Sequence, residues 1–300
     1  MKVIKGLALS LLSFLLFLSL SVFGLLFALN NTALNPDFIV SELDKLDVTS
    51  LAGEFIQEQV TEQLPEEFGF VTPETIDNIL ADVEPWIREQ MSIAVHNGYD
   101  YLLGRSESLS LVISTEPLKA SLKDNLWQAL LASPPPEVAG LPPDVLEEQF
   151  NQFFAEFSQG IPSTIEVDES LIPAEVLTQL EQAREYINLL QTVYKALIGF
   201  ILLLIAGIIL IYREVRGAAR GLGITSLTYG AIEYGGIFAA KHLITTQLPM
   251  PEIPPSLQAW LPQVISDFLH PLEMFSLGLL IGGIVLLVVS FVYKPRQPSL

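Results

Sequence analysis

The sequence predicts a mainly α-helical membrane protein with four transmembrane helices and a helical extracytoplasmic domain that includes a possible short two-stranded sheet. Three observations carry this reading. Half of the 300 residues are hydrophobic and the mean hydropathy is +0.47, too apolar for a soluble domain of this length. The same chain nevertheless holds 34 acidic residues against 15 Lys and Arg, a net charge of −19. The two properties are segregated: Asn30 to Tyr194 has 29 acids and six bases, a net of −23, while the remainder has nine bases and five acids, a net of +4.

The N-terminal residues 1–5 hold Lys2 and Lys5 and read as a short cytoplasmic end. Residues 6–29 are the first span, a run of 24 uncharged residues giving about 36 Å of helix where a hydrocarbon core needs about 30 Å. A cleaved secretory leader is the competing reading. The apolar run exceeds the roughly 7–15 residues of such leaders, and no A-x-A site closes it.

Residues 30–194 read as the acidic extracytoplasmic domain. Apolar residues at helical spacing mark a short helix through Phe38, Ile39, Leu43 and Leu46, and a second through Leu51, Phe55 and Val60 after a cap at Thr49 or Ser50. Thr72-Pro73-Glu74 is a helix start, and Ile76, Ile79, Leu80, Val83, Ile87, Met91 and Val95 extend that helix to about Leu103 with a kink at Pro85. Leu109, Leu111 and Ile113 alternate with polar or outward positions, as do Ile165 and Val167, which predicts two strands able to pair. Between them lie a helix over about 116–132, a proline-rich break and a helix over about 145–157. The aromatic stripe of Trp86, Trp127, Phe150, Phe153, Phe154 and Phe157 reads as core rather than as a ligand groove. From Pro173 no breaker intervenes before Tyr212, so one helix of about 60 Å is expected to run into the second span, 195–212.

Residues 213–220 form a basic cytoplasmic turn with Arg213, Arg216 and Arg220, whose expected role is to fix topology and meet anionic lipid. The third span, 221–240, is rich in Gly, Thr and Tyr and contains Glu233, so it is expected to insert as a hairpin with its neighbour. Residues 241–270 form an outer loop with an amphipathic helix bearing Leu257, Trp260, Leu261, Val264, Ile265 and Phe268. The fourth span is 271–293, and 294–300, with Lys294 and Arg296, is the cytoplasmic C-terminus. The three short basic segments, with Lys2 and Lys5, with Arg213, Arg216 and Arg220, and with Lys294 and Arg296, thus fall on one side of the four-span layout, which puts both termini in the cytoplasm of a plasma-membrane protein and 30–194 outside.

The order of span, large outer loop, span, tight inner turn, span, small outer loop and span resembles the claudin-type tetraspan layout. The resemblance implies span order alone, because the paired outer-loop cysteines and the Trp-Gly-Leu-Trp motif of that family are absent.

Candidate functional residues are few. Glu233, flanked by Tyr229 and Tyr234, is an ionisable group inside a span and so a functional candidate, unless water, Lys241 or His242 reaches it at the outer boundary. Gly235, Gly236, Ala239 and Ala240, with Gly278 and Gly282 beside Gly283, have the spacing of close helix packing within or between chains. The absence of cysteine excludes disulfides, thiolate metal sites and thiol nucleophiles. No zinc-protease, nucleophile-elbow, phosphate-loop, dinucleotide or EF-hand pattern is present, so no catalytic residue, cofactor or metal is expected. The acidic balance argues against nucleic acid as a partner; the lipid bilayer and protein partners or self-association are expected instead. The leading expectation is a non-enzymatic envelope protein whose outer domain works through protein interaction, assembly or sensing. The alternatives are a small transporter or channel subunit using Glu233 and, behind it, a membrane-anchored hydrolase using outer carboxylates such as Asp77, Asp82 and Glu84.

Overall fold

The computed structural model describes residues 2–47, 72–136, 138–247 and 255–293. The expected helix at Leu51–Val60, the loop at 248–254 and the basic tail at 294–300 lie outside the described residues. In chain order the elements are α1 (Lys2–Asn31), α2 (Pro36–Asp44), α3 (Pro73–Leu102), β1 (Ser110–Ser114), α4 (Glu116–Ala132), α5 (Pro143–Gln159), β2 (Thr164–Asp168), a 3₁₀ turn (Glu169–Leu171), α6 (Ala174–Tyr212), α7 (Val215–Gln247) and α8 (Pro255–Val292). The described residues are mostly helical with one small two-stranded sheet. It divides into a helix-bundle unit, Met1–Ile39 with Gln182–Leu300, and an acidic unit, Val40–Glu181.

In the acidic unit α3 begins at a reciprocal cap: the Thr72 hydroxyl accepts from the Thr75 amide at 3.3 Å, and the Thr75 hydroxyl accepts from the Thr72 amide at 3.3 Å. The helix then continues unbroken through Pro85. Two paired strands are marginal by themselves, and here α3 supplies the missing support. The Trp86 indole donates to the Ser114 carbonyl at 2.9 Å and the Asn97 amide to the Ser110 carbonyl at 3.2 Å, one bond at each end of β1. β1 and β2 are antiparallel with Ser110 opposite Asp168 and Ser114 opposite Thr164, and buried Thr115 closes the ladder through hydrogen bonds to Pro162 and Ser163. At the far end of β2 the Ser170 hydroxyl and amide both donate to the Asp168 carboxylate, which holds its pKa below the usual range. Arg88 joins α2 to α3: it pairs with Glu84 at 2.6 Å and donates to the Asp44 and Leu46 carbonyls at 2.7 and 3.0 Å.

The core of this unit is built by α4 and α5. Leu126, Ala129 and Leu130 of α4 meet Leu146, Phe150 and Phe154 of α5, with Trp127 tilted against Phe150 at 5.1 Å. The aromatic stripe therefore divides. Phe150 and Phe154 are buried, whereas Phe153 and Phe157 stack on each other at 6.2 Å on the more open side.

Among the described residues three helices, Val3–Asn31, Ala174–Tyr212 and Trp260–Val292, are long and apolar enough to cross a membrane. α7 is not among them: Glu233, six glycines and several hydroxyls lower its apolarity. The large apolar side chains of the bundle point outward as well as inward, with Phe14, Leu202, Leu203, Leu210, Ile284 and Phe291 all exposed. That distribution needs an apolar solvent. α1 is the shared partner. Its Leu16 and Leu20 pack on Ile201, Leu204 and Ile208 of α6 and on Tyr229 of α7, while Phe23 stacks on Tyr194 of α6 at 5.1 Å and against Phe275 of α8 at 5.5 Å.

Three boundaries differ from the sequence reading, the first being that α7 runs on to Gln247, into residues expected as outer loop. The basic turn expected over 213–220 is only Arg213-Glu214. Arg213 takes a positive φ of 57°, reversing the chain between α6 and α7, so Arg216 and Arg220 already lie on α7. The outer-loop helix expected to end before a span at Pro271 is instead continuous with it. α8 passes through both Pro262 and Pro271, because contact with α7 along the pair offsets the single backbone bond each proline removes.

The neighbours Leu126 and Leu131 test the α4 assignment. Leu126→Ala is expected to destabilise the acidic unit by about 3 kcal/mol, and Leu131→Ala, 53% exposed, by under about 0.5 kcal/mol, read as shifts in the denaturant midpoint of the full chain.

Candidate functional site

The polar groups inside the helix bundle are the candidate site, and the α7–α8 contact positions them. Across this pair the backbones touch at glycine. A Cβ added at Gly230 would lie 2.6 Å from the Ser276 carbonyl oxygen and 2.7 Å from the Leu280 nitrogen; one at Gly283 would lie 2.6 Å from the Leu227 nitrogen. Gly223 faces the Gly283 carbonyl in the same way at 3.0 Å. Small residues therefore recur seven apart on both helices, Gly223 and Gly230 on α7 against Ser276, Gly283 and Ser290 on α8, all buried.

This differs from the packing residues read from the sequence. At Gly235, Gly236, Gly278 and Gly282 an added Cβ meets nothing within 4 Å, and Ala239 is exposed while Ala240 is half-buried. The reason is rotation. Each residue turns the helix by about 100°, so Gly235 and Ala239 lie about 200° from buried Ile237, and Gly278 about 200° from buried Ser276. The informative signal was the heptad of small residues, not the adjacent glycine pairs.

Tyr229 is the largest fully buried side chain among the described residues, 1% exposed, on the α7 face toward α1. Its ring meets Phe17 edge-on at 5.8 Å and Phe275 at 6.1 Å. Its hydroxyl fills the notch left by Gly24 on α1, where a Cβ would come within 2.5 Å of the oxygen, and it makes no hydrogen bond. A buried hydroxyl without a partner is costly, by about 1–3 kcal/mol. One turn further along α7, Glu233 is half-buried and makes no ion pair or hydrogen bond among the described residues; Tyr234 is half-buried beside it. Thr225, one turn before Tyr229, is buried and spends its hydroxyl on the Gly221 carbonyl at 3.1 Å. Tyr229 and Glu233 thus share one side of α7.

Lys241, a possible partner for Glu233 by sequence, is engaged elsewhere. Its ammonium lies 2.5 Å from the Glu273 carboxylate of α8, with the His270 ring 4.0 Å from the same oxygen. Sequence reasoning passed over Glu273 because it opened an apolar run. Arg213, Arg216 and Arg220 are exposed at the opposite end of α7.

Outside the bundle, the acids Asp82 and Glu84 have separate structural partners, Asn125 at 2.7 Å and Arg88 at 2.6 Å. Among the described residues no three of His, Asp and Glu converge where a metal ion could be held.

Substitutions on α7 separate the two packing readings. Gly230→Leu is expected to lower the thermal midpoint of the detergent-solubilised chain strongly, since backbone atoms must move, at a cost of about 3 kcal/mol, and Gly235→Leu to leave it unchanged. Tyr229→Phe is expected to raise it, by about 1 kcal/mol of stability, because the orphan hydroxyl is removed; a fall would mean the hydroxyl has a partner. No protein-family model, curated protein or solved structure matches the chain.

Proposed function

We propose that the protein is a non-enzymatic, four-span protein of the plasma membrane whose acidic unit lies outside the cell and acts through protein contact, assembly or sensing. In this reading α7 is the third span, and both termini are cytoplasmic. The observation that carries it is the charge layout on α7. Arg220 and Lys241 stand 21 residues apart, about 32 Å of helix, against a hydrocarbon core of about 30 Å, and Glu233 is the one charged residue between them. With Lys241 paired to Glu273 at one rim and Arg213, Arg216 and Arg220 at the other, α7 has the two polar ends a span needs. Its interior carboxyl costs about 2.5–3.5 kcal/mol on insertion scales, which glycine-mediated contact with α8 helps to offset. The strong acidity of residues 30–194 supports a contact role for the outer unit.

A second reading is favoured by a specific pair of groups. Tyr229 and Glu233, both without partners on one side of α7, suit a transporter or channel subunit with Tyr234 beside the pathway. It requires solute or ion flux in liposomes that Glu233→Gln abolishes, and a purified chain without such flux removes it.

Because the chain has no cysteine, single introduced thiols report sidedness cleanly. A membrane-impermeant maleimide is expected to label Ser108→Cys in intact cells, and Glu214→Cys only after permeabilisation. Labelling of both from the same side would overturn the topology.

A further inference from the structure

The acidic unit holds an apolar cavity of about 380 Å³ beside its core, within the range of ligand-binding pockets. Leu130 of α4 and Leu146, Phe150 and Phe153 of α5 line it, and Pro135 and Val138 of the connecting segment close one side. Gln149 is its one polar lining residue. Phe153, 38% exposed, stands at the mouth, and Leu131, 53% exposed, and Val145, 36% exposed, are further apolar residues on the same two helices.

The charge around this cavity has one sign. From Asp124 to Ala183 the chain contains eleven acids and no Lys, Arg or His. All the lining residues fall inside that stretch. On α5 itself Asp144, Glu147, Glu148 and Glu156 are exposed, with no base on the helix. An anionic ligand, a lipid head group or an acidic peptide is repelled by this surface. A cationic partner with an apolar side chain gains from both the cavity and its surroundings.

The acids also set the length of the partner. Asp144 and Glu148 stand about 200° around α5 from the lining residues Leu146 and Phe150 respectively. The α5 acids beside the cavity are therefore Glu147 and Glu156, nine residues and about 14 Å apart, and engaging both takes about four or five residues of extended chain. A small cation is too short. The chain's own residues 48–71 do not suit the surface either, since they carry five acids and no base.

We infer that this cavity is the anchor pocket of a docking site for a basic segment of a partner protein, which inserts an aromatic or branched aliphatic side chain between α4 and α5 and flanks it with Lys or Arg against the α5 acids. The inference rests on the contact role proposed for the acidic unit and names the chemistry of its partner.

The test uses the full-length chain in detergent and a labelled, end-capped peptide, Lys-Arg-Leu-Phe-Lys-Arg. Saturable binding is expected, at least tenfold weaker in about 0.5 M than in about 0.05 M salt. It is also expected to weaken at least tenfold on Gln149→Arg, an exposed change that adds a base to the rim, and on Phe153→Ser, with the helical circular dichroism of each variant retained. Equal binding of Glu-Glu-Leu-Phe-Glu-Glu, or variants that bind as the parent does, overturns the site. In cells, photocrosslinking amino acids at Phe153 and at exposed Val112 separate this site from the broader reading. A captured segment that is basic with an apolar anchor, found at Phe153, supports the pocket. Capture at Phe153 of an acidic segment or of this chain itself, or capture at Val112 alone, overturns the pocket and leaves the contact role standing. Capture at neither position overturns both.

Discussion

Backbone contact between α7 and α8 at Gly223, Gly230 and Gly283 is the constraint on which the bundle depends. α7 is the least apolar of the four long helices of the bundle, with a carboxyl near its centre and threonine hydroxyls along it. In an apolar solvent helices gain nothing from hiding one apolar face against another, so association rests on close van der Waals packing. Gly230 against the Ser276 carbonyl and Gly283 against the Leu227 amide provide that approach, where any Cβ would strike main-chain atoms. α1 then completes the arrangement. It is the helix that packs against α6 through Leu16 and Leu20 and against α7 and α8 through Phe17, Gly24 and Phe23, and Tyr229 reaches it only because residue 24 has no side chain.

What the sequence made legible follows from which signals are local. α4 matched its expected span, and the strands at 110–114 and 164–168 paired as alternation suggested, because period and turn chemistry are written within a few residues. The division of the phenylalanines on α5 was not legible. Phe150, Phe153, Phe154 and Phe157 have similar spacing, and only the position of α4 decides that Phe150 and Phe154 go inside. The extent of α8 was misread for a related reason: Pro271 looked like a boundary in isolation, while in the fold it is carried through by the neighbouring helix. Within the chain the close contact falls on a seven-residue repeat of small residues that includes Gly283, not on Gly235, Gly236, Gly278 and Gly282, and only a facing helix makes that repeat meaningful.

The candidate site was legible in its residues and not in its geometry. Glu233 and Tyr229 stood out as polar groups within the expected third span. That the Tyr229 hydroxyl has no partner, that Glu233 is unpaired among the described residues, and that Lys241 is bound to Glu273 all depend on which helix lies opposite. The acidic surface around α5 behaves in the opposite way. A sixty-residue stretch without a basic side chain is visible in the sequence, and the cavity that gives it meaning is visible only in the fold.

The depth of α7 in a bilayer tests the central claim most directly. Ile224, Ile232 and Phe238 are exposed along one helix, so spin labels at these positions in reconstituted vesicles report depth without disturbing the α7–α8 contact. The account predicts that the label at position 232 collides most with oxygen and least with a water-soluble nickel complex, and that positions 220 and 241 show the reverse. Equal access of the nickel complex to positions 232 and 241 would contradict a helix that crosses the membrane.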